Sequence, residues 1–222
     1  MPSPIVPVIA IDGPSASGKG TVAQRVAQAL GFHYLDSGAL YRLSALAALR
    51  QGVSLDDEAA LARLAAALDI RFEGEKIFLS AQDVSDEVRS EDCGTNASRI
   101  AAFPELRAAL LQKQRDFKRL PGLVADGRDM GSVVFPDANL KVFLTASPEA
   151  RAERRTKQLI EKGMCAKIQD VIEELKRRDL RDSSRPVAPL KHYPDATLLD
   201  TTALSVQAAT DQVVDWYREL RN

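Results

Sequence analysis

Gly13-Pro14-Ser15-Ala16-Ser17-Gly18-Lys19-Gly20-Thr21 follows the apolar run Ile5-Val6-Pro7-Val8-Ile9-Ala10-Ile11 and has the spacing G-x-x-x-x-G-K. Gly13 and Gly18 permit positive-φ turns that aim successive backbone N–H groups into one concavity, where a phosphate chain can sit against a helix N-terminus. Lys19 adds a point charge there. Val22, Val26 and Leu30 recur at helical spacing behind the loop and stop at Gly31, so a strand and a helix flank it as such a motif requires. The position where many phosphate loops carry a metal-binding hydroxyl holds Gly20, and a hydroxyl comes one residue later at Thr21. Direct hydroxyl ligation of a metal is therefore not expected.

The chain of 222 residues suits one good core with an inserted subdomain. Hydrophobic residues at 45% and charged residues at 27% are the balance of a soluble globular protein. No stretch reads as a membrane span, and Met1-Pro2-Ser3-Pro4 lacks a basic leader region, so the expected location is cytoplasmic. Cys93 and Cys165 form no metal or disulfide pattern and read as partly buried free thiols, while His33 reads as strand packing and His192 as a loop residue.

The net charge of −1 argues against binding nucleic acid by bulk electrostatics. Charge is nevertheless segregated: positions 51–92 hold eleven Asp/Glu against four Lys/Arg, and positions 151–185 hold eleven Lys/Arg against seven Asp/Glu. A local cationic surface of that kind suits closure over polyphosphate.

Along the chain, Phe32-His33-Tyr34-Leu35 reads as a strand leading to Asp36-Ser37-Gly38, and a helix follows with Leu40, Leu43, Leu46 and Leu49 in phase. Asp36, Ser37 and Arg42 thus fall at the carboxyl end of a strand, the ligand edge of open α/β sheets. The spacing predicts a helix over 56–68 and then a hairpin, Ile70-Arg71-Phe72 and Ile77-Phe78-Leu79 around Glu73-Gly74-Glu75-Lys76. Ser98 precedes a helix opened by Pro104, with Leu106, Leu110 and Phe117 on one face and Arg107 flanking it, a place where a charge is ordinarily solvated. Leu123-Val124-Ala125 leads as a strand into Asp126-Gly127-Arg128-Asp129-Met130-Gly131. After the strand Leu140–Leu144, two arginine-rich helices meet at Lys162-Gly163; they carry Arg151, Arg154 and Arg155, then Arg178, Asp182 and Arg185, and read as a lid. Ala196–Asp200 supplies a fifth core strand, and Val206, Val213, Trp216, Tyr217 and Leu220 line the inner face of the last helix.

Four stretches together resemble the bacterial cytidylate kinases: Ile11–Ser15 with Gly18–Thr21, Leu35–Arg42, Ala125–Gly131, and Arg178-Asp179 through Asp182 and Arg185. The resemblance spans essentially the whole chain. It implies a three-layer α/β P-loop kinase fold, with a five-stranded parallel sheet flanked by helices, a nucleoside-monophosphate-binding region near 37–120 that contains an antiparallel insert near 70–90, and a helical lid near 151–186. It further implies transfer of the γ-phosphoryl group of ATP to CMP and dCMP. Gly13, Pro14, Ser15, Ala16, Ser17, Gly18, Lys19, Gly20 and Thr21 would hold ATP, with Arg154 beside its phosphates or adenine. Ser37, Arg42, Arg128 and Arg185 would hold the CMP phosphate, with Asp36 alongside. Ser98, Arg107 and Asp129 would read cytosine, and Arg178 and Asp182 the sugar. Lys19, Arg128 and Arg185 would be catalytic. Mg²⁺ would be held through waters and phosphate oxygens without a direct protein ligand. The expected partners are these small molecules, with no nucleic acid, no membrane and a monomeric state. Two other readings stay open: a kinase for AMP, UMP or an alcohol, with Asp36 or Asp126 as base, and a nucleotide-binding regulatory ATPase.

Overall fold

A computed structural model describes residues 6–73, 76–161 and 163–221. Met1–Ile5, Gly74 and Glu75 of the expected hairpin, Lys162 and Asn222 lie outside these. In chain order the elements are β1 (Val8–Asp12), α1 (Lys19–Leu30), β2 (His33–Asp36), α2 (Ser37–Arg50), α3 (Glu58–Ala67), β3 (Ile70–Glu73), β4 (Lys76–Leu79), β5 (Gln82–Asp83), α4 (Ser85–Val88), α5 (Glu91–Ile100), α6 (Pro104–Arg115), β6 (Leu123–Gly127), a π-helical turn (Met130–Val134), β7 (Leu140–Thr145), α7 (Pro148–Glu161), α8 (Ile168–Ser184), β8 (Thr197–Asp200) and α9 (Val206–Glu219).

The chain forms two compact units, one of residues 1–35 with 117–222 and one of residues 36–116. In the first, five strands lie in the order β2-β6-β1-β7-β8. β1 pairs in parallel with β6 and β7, and β7 with β8. Every residue of β1 and of β6 is buried, as expected of strands covered on both faces by helices. Val22 and Val26 of α1 and Val213 and Tyr217 of α9 close over Ile9, Ile11, Val142 and Leu144. Burying each such side chain contributes ~1.5–3 kcal/mol. From β1 the chain runs outward to β2, and only later places β7 on the other side of β1. The order therefore switches at β1, whose carboxyl end carries the glycine-rich loop, where open α/β sheets bind ligands.

The second unit buries Leu43, Leu68, Ile77, Leu79, Val84 and Val88 between α2 and an antiparallel sheet β3-β4-β5. The predicted hairpin is present in register, Ile70 opposite Leu79 and Phe72 opposite Ile77. The short third strand, β5, carries only Gln82 and Asp83 and has no apolar periodicity to announce it.

Several expectations change. Helix α3 starts at Glu58, because the Asp57 side chain accepts from the Ala60 N–H and caps it there. Leu49, Val206 and Leu220 are exposed, since each lies at a helix end beyond the reach of its core. Cys93 is buried and Cys165 exposed, both as free thiols. Arg107, on a helix flank where a charge is ordinarily solvated, is buried. Its Nη1 donates to the Ala101 carbonyl at 3.1 Å and its guanidinium lies 5.8 Å from the Tyr41 ring centroid, so hydrogen bonding and an aromatic face offset its desolvation.

Candidate active site

The glycine-rich loop runs from the end of β1 into α1. Gly18 adopts φ 92°, as glycine allows, and serves as the N-cap of α1 without any side-chain capping bond. The first N–H groups of α1, beginning with Lys19, thus lack a side-chain cap, which suits them to an anion. At Gly13, close approach rather than the turn requires glycine: a Cβ there would lie 2.0 Å from the Leu144 carbonyl oxygen. The other left-handed residue is Ala16, with φ 58°, which carries some strain for a residue with a Cβ and packs against a small cluster of Ala152, Leu159, Val171 and Leu175 in α7 and α8.

The loop carbonyls are held from behind. Arg151 donates to the Ser15 carbonyl at 3.1 Å, while Arg154 and the Thr201 hydroxyl donate to that of Ser17 at 3.0 and 3.1 Å. Within a trans peptide the N–H opposes the C=O, so anchoring these carbonyls turns the N–H groups of Ala16 and Gly18 the other way. Ser17 Oγ closes the loop on the Pro14 carbonyl at 3.0 Å. Arg154 also donates to the Thr201 carbonyl, and Arg151 pairs with Asp179 of α8 at 2.7 Å. The sequence marked Arg151 only as one of the lid arginines and gave no sign of Thr201, the first of two threonines after β8, whose importance lies entirely in what it touches.

Beyond β6, Arg128 donates from Nη2 to the Ser15 hydroxyl at 2.9 Å and from Nε to Asp182 of α8 at 2.7 Å. Burial alone lowers the affinity of this guanidinium for its proton, but the charge and hydrogen bond of Asp182 outweigh it and hold Arg128 firmly protonated. Conversely, burial would raise the Asp182 carboxyl, and the charge and hydrogen bond of Arg128, with the charges of Arg178 and Arg185, hold it below the ordinary carboxylate range. Asp182 thus faces the guanidiniums of Arg128, Arg178 and Arg185, with Asp126 and Asp179 also acting on Arg128, and such a cluster of guanidiniums suits an anionic ligand. Arg185 is itself buried and donates to the Ala188 carbonyl at 2.8 Å. Asp129, also buried, stands at the N-cap of the π-helical turn.

At Gly20, where a hydroxyl would be usual, a Cβ would sit 3.1 Å from Asp126 Oδ2. The Tyr34 hydroxyl donates to that same oxygen at 2.8 Å. The carboxylate of Asp126 thus occupies the space beside the helix N-terminus, and Thr21 is exposed. Among the described residues no three His, Cys, Asp or Glu side chains group to hold a metal ion. A hard cation that keeps most of its waters, bound to phosphate oxygens beside Asp126, fits these donors.

The second unit carries the remaining sequence-predicted residues. The Asp36 carboxylate accepts from the Ala39 N–H at 3.1 Å and caps α2, and Ser37 is buried at its first position. Arg42 donates to the Val88 carbonyl at 2.9 Å and lies against Gly94, where a Cβ would meet its Nη2 at 3.2 Å. On α5, the buried Ser98 hydroxyl makes no hydrogen bond within the protein. An unsatisfied buried hydroxyl of that kind costs free energy in the unliganded protein and suits a site that receives a polar ligand.

The phosphate loop, parallel sheet and arginine cluster define a P-loop phosphotransferase. Residues 9–219 match the cytidylate kinase family. The chain is 60% identical over 214 residues to the cytidylate kinase of Chromobacterium violaceum, covering 96% of each, and 58% identical over 216 residues to that of Nitrosomonas europaea, covering 97% of each. It therefore belongs to the cytidylate kinase family. A solved structure of an uncharacterized protein from Eubacterium ventriosum shares the fold, with a TM-score of 0.52 at 13% identity over 96% of this chain and 98% of that one. Among the described residues no helix is long and apolar enough to cross a membrane.

Proposed function

We propose that the protein transfers the γ-phosphoryl group of ATP to CMP, and also to dCMP, giving the corresponding diphosphates. The observation that carries the reading is Arg128, hydrogen-bonded at once to the phosphate loop through Ser15 and to the arginine-ringed Asp182. A group so held neutralises charge where a donor phosphate and an acceptor phosphate meet. Gly13 to Thr21 hold the ATP phosphates, with Lys19 on the transferring group and Arg154, which also anchors the Ser17 carbonyl, beside the phosphates or adenine. Ser37, Arg42, Arg128 and Arg185 hold the CMP phosphate, and Asp36 fixes the helix that presents Ser37. Ser98, Arg107 and Asp129 read cytosine, and Arg178 and Asp182 the sugar.

Asp129 can accept from the cytosine amino group, while Ser98 and Arg107 can donate to its O2 or N3. Uracil presents a carbonyl in place of the amino group, so the same carboxylate repels it. The attacking oxygen belongs to a phosphate whose second pKa is about 6, so it is largely dianionic at neutral pH and needs no general base. Lys19, Arg128 and Arg185 align the two anions and stabilise charge on the transferred group. Asp126 would hold, through waters, a Mg²⁺ carried with the nucleotide, which would supply further charge neutralisation. The helices α7 and α8 act as the lid that excludes water. The protein works in the cytoplasm as a monomer and takes no nucleic acid or membrane partner.

The test is ATP-dependent turnover with CMP, dCMP, UMP, AMP and GMP, followed as ADP release against a no-acceptor control. Turnover strongest with CMP and dCMP is the expected result. Equal ADP release without acceptor, or turnover only with a base other than cytosine, would remove the cytosine assignments.

A further inference from the structure

Asp12 has no role in the reading above. It ends β1 opposite Gly127 in the parallel ladder, is buried, and accepts two consecutive backbone N–H groups, from Met130 at 2.8 Å and from Gly131 at 2.9 Å. These are the first N–H groups of the π-helical turn Met130–Val134, which the turn itself leaves without acceptors. The residue placed to cap them locally is Asp129, and an aspartate at that position ordinarily closes back on the N–H groups that follow it. Here the Asp129 side chain makes no capping bond.

We propose that Asp12 is a positioning residue for base recognition: by capping Met130 and Gly131 from the neighbouring strand, it keeps the Asp129 carboxylate out of the turn and directed at the amino group of cytosine. The proposal rests on the reading of Asp129 as the cytosine acceptor. The arrangement sets a second buried acid near Asp129. Burial pushes the Asp12 carboxyl up to about 6, with Asp129 adding to the rise and the Gly131 and Met130 N–H groups and Arg128 opposing it. Asparagine is no substitute, because it offers one acceptor oxygen and turns an NH₂ toward the second N–H. In Asp12→Asn one N–H therefore loses its acceptor, and the carboxylate that ordinary N-cap geometry brings to it is that of Asp129.

The experiment measures kcat/KM for CMP and for UMP, and KM for ATP, in the wild type, Asp12→Asn and Asp129→Ala, with thermal unfolding as the fold control. The expected result is a CMP/UMP preference reduced ~10-fold or more in Asp12→Asn through KM for CMP, as loss of one polar base contact would produce, with KM for ATP within about two-fold of wild type. A reduced preference in both variants supports the proposal. If Asp129→Ala loses the preference and folded Asp12→Asn keeps it, Asp12 is a structural cap and the proposal is overturned. If Asp129→Ala keeps the preference, the base reading fails and the proposal falls with it. Should Asp12→Asn not fold, Asp12→Glu keeps both oxygens but displaces them by one methylene. A wild-type CMP/UMP ratio in that variant likewise overturns the proposal.

Discussion

Arg128 donates to the Ser15 hydroxyl at 2.9 Å, which fastens a residue assigned to the acceptor phosphate to the loop assigned to the donor. Ser15→Ala removes that bond and leaves the loop backbone, anchored by Arg151 and Arg154, in place. The expected outcome is a KM for CMP raised ~3- to 10-fold, the equivalent of about one hydrogen bond, with KM for ATP changed less. Steady-state kinetics with each substrate varied in turn reads the split, and a rise confined to ATP contradicts the link.

The Arg128–Asp182 pair is nearly dry, with side chains 15% and 6% exposed. Arg128→Ala strands a buried carboxylate, so denaturant unfolding should show a loss of about 3–5 kcal/mol, softened to the extent that Arg178 and Arg185 compensate. An unchanged midpoint would mean the pair is hydrated in solution.

Ser98→Ala should separate stability from function. Removing a buried hydroxyl that has no partner in the protein leaves the unliganded enzyme as stable as wild type, or more stable by ~1 kcal/mol, while KM for CMP rises. A destabilised variant with unchanged KM would show that the hydroxyl serves the fold.

Gly13→Ala places a methyl 2.0 Å from a backbone carbonyl of β7, which cannot move without breaking the sheet. Loss of soluble, cooperative unfolding or a stability decrease of more than ~2 kcal/mol is expected.

The folded Asp12 carboxyl is raised from 3.8 to about 6, so between those values the folded state binds a proton that the unfolded state has released. Its contribution to stability is therefore present below about 3.8, declines as pH rises to about 6, and is flat above. Asp182, being depressed, acts in the opposite sense: its contribution is present above the ordinary value and is lost as pH falls through its lower folded one. Unfolding free energies of wild type and Asp12→Asn across this range should converge in slope only above pH 6. Parallel curves throughout would place the Asp12 pKa elsewhere.

Local chemistry made the sheet and phosphate loop legible from sequence: Val8–Asp12 is a fully buried parallel strand, and Gly13 and Gly18 sit where a close contact and a left-handed turn exclude other residues. What the sequence left unread is non-local. Thr201 and Arg151 matter because they grip the carbonyls of Ser17 and Ser15, at separations in sequence of 184 and 136 residues. Asp12 matters because the chain after β6 crosses the end of β1. Arg107 looked like a solvated flank because helical periodicity records the face of its own helix and not the aromatic ring of Tyr41 beside it.

Lys19 opens α1 at the phosphate loop, away from the hydrophobic core, so Lys19→Met should fold as wild type and lose orders of magnitude in kcat. Circular dichroism and turnover on the same preparation test both halves, and near-normal activity contradicts the mechanism.

The most direct measurement is the fate of the transferred group. ATP labelled in its γ-phosphate is incubated with CMP, Mg²⁺ and the purified protein, and the products are separated. The account predicts that the label appears as the β-phosphate of CDP, in step with ADP. Release of the label as inorganic phosphate at the same rate with and without CMP would contradict it.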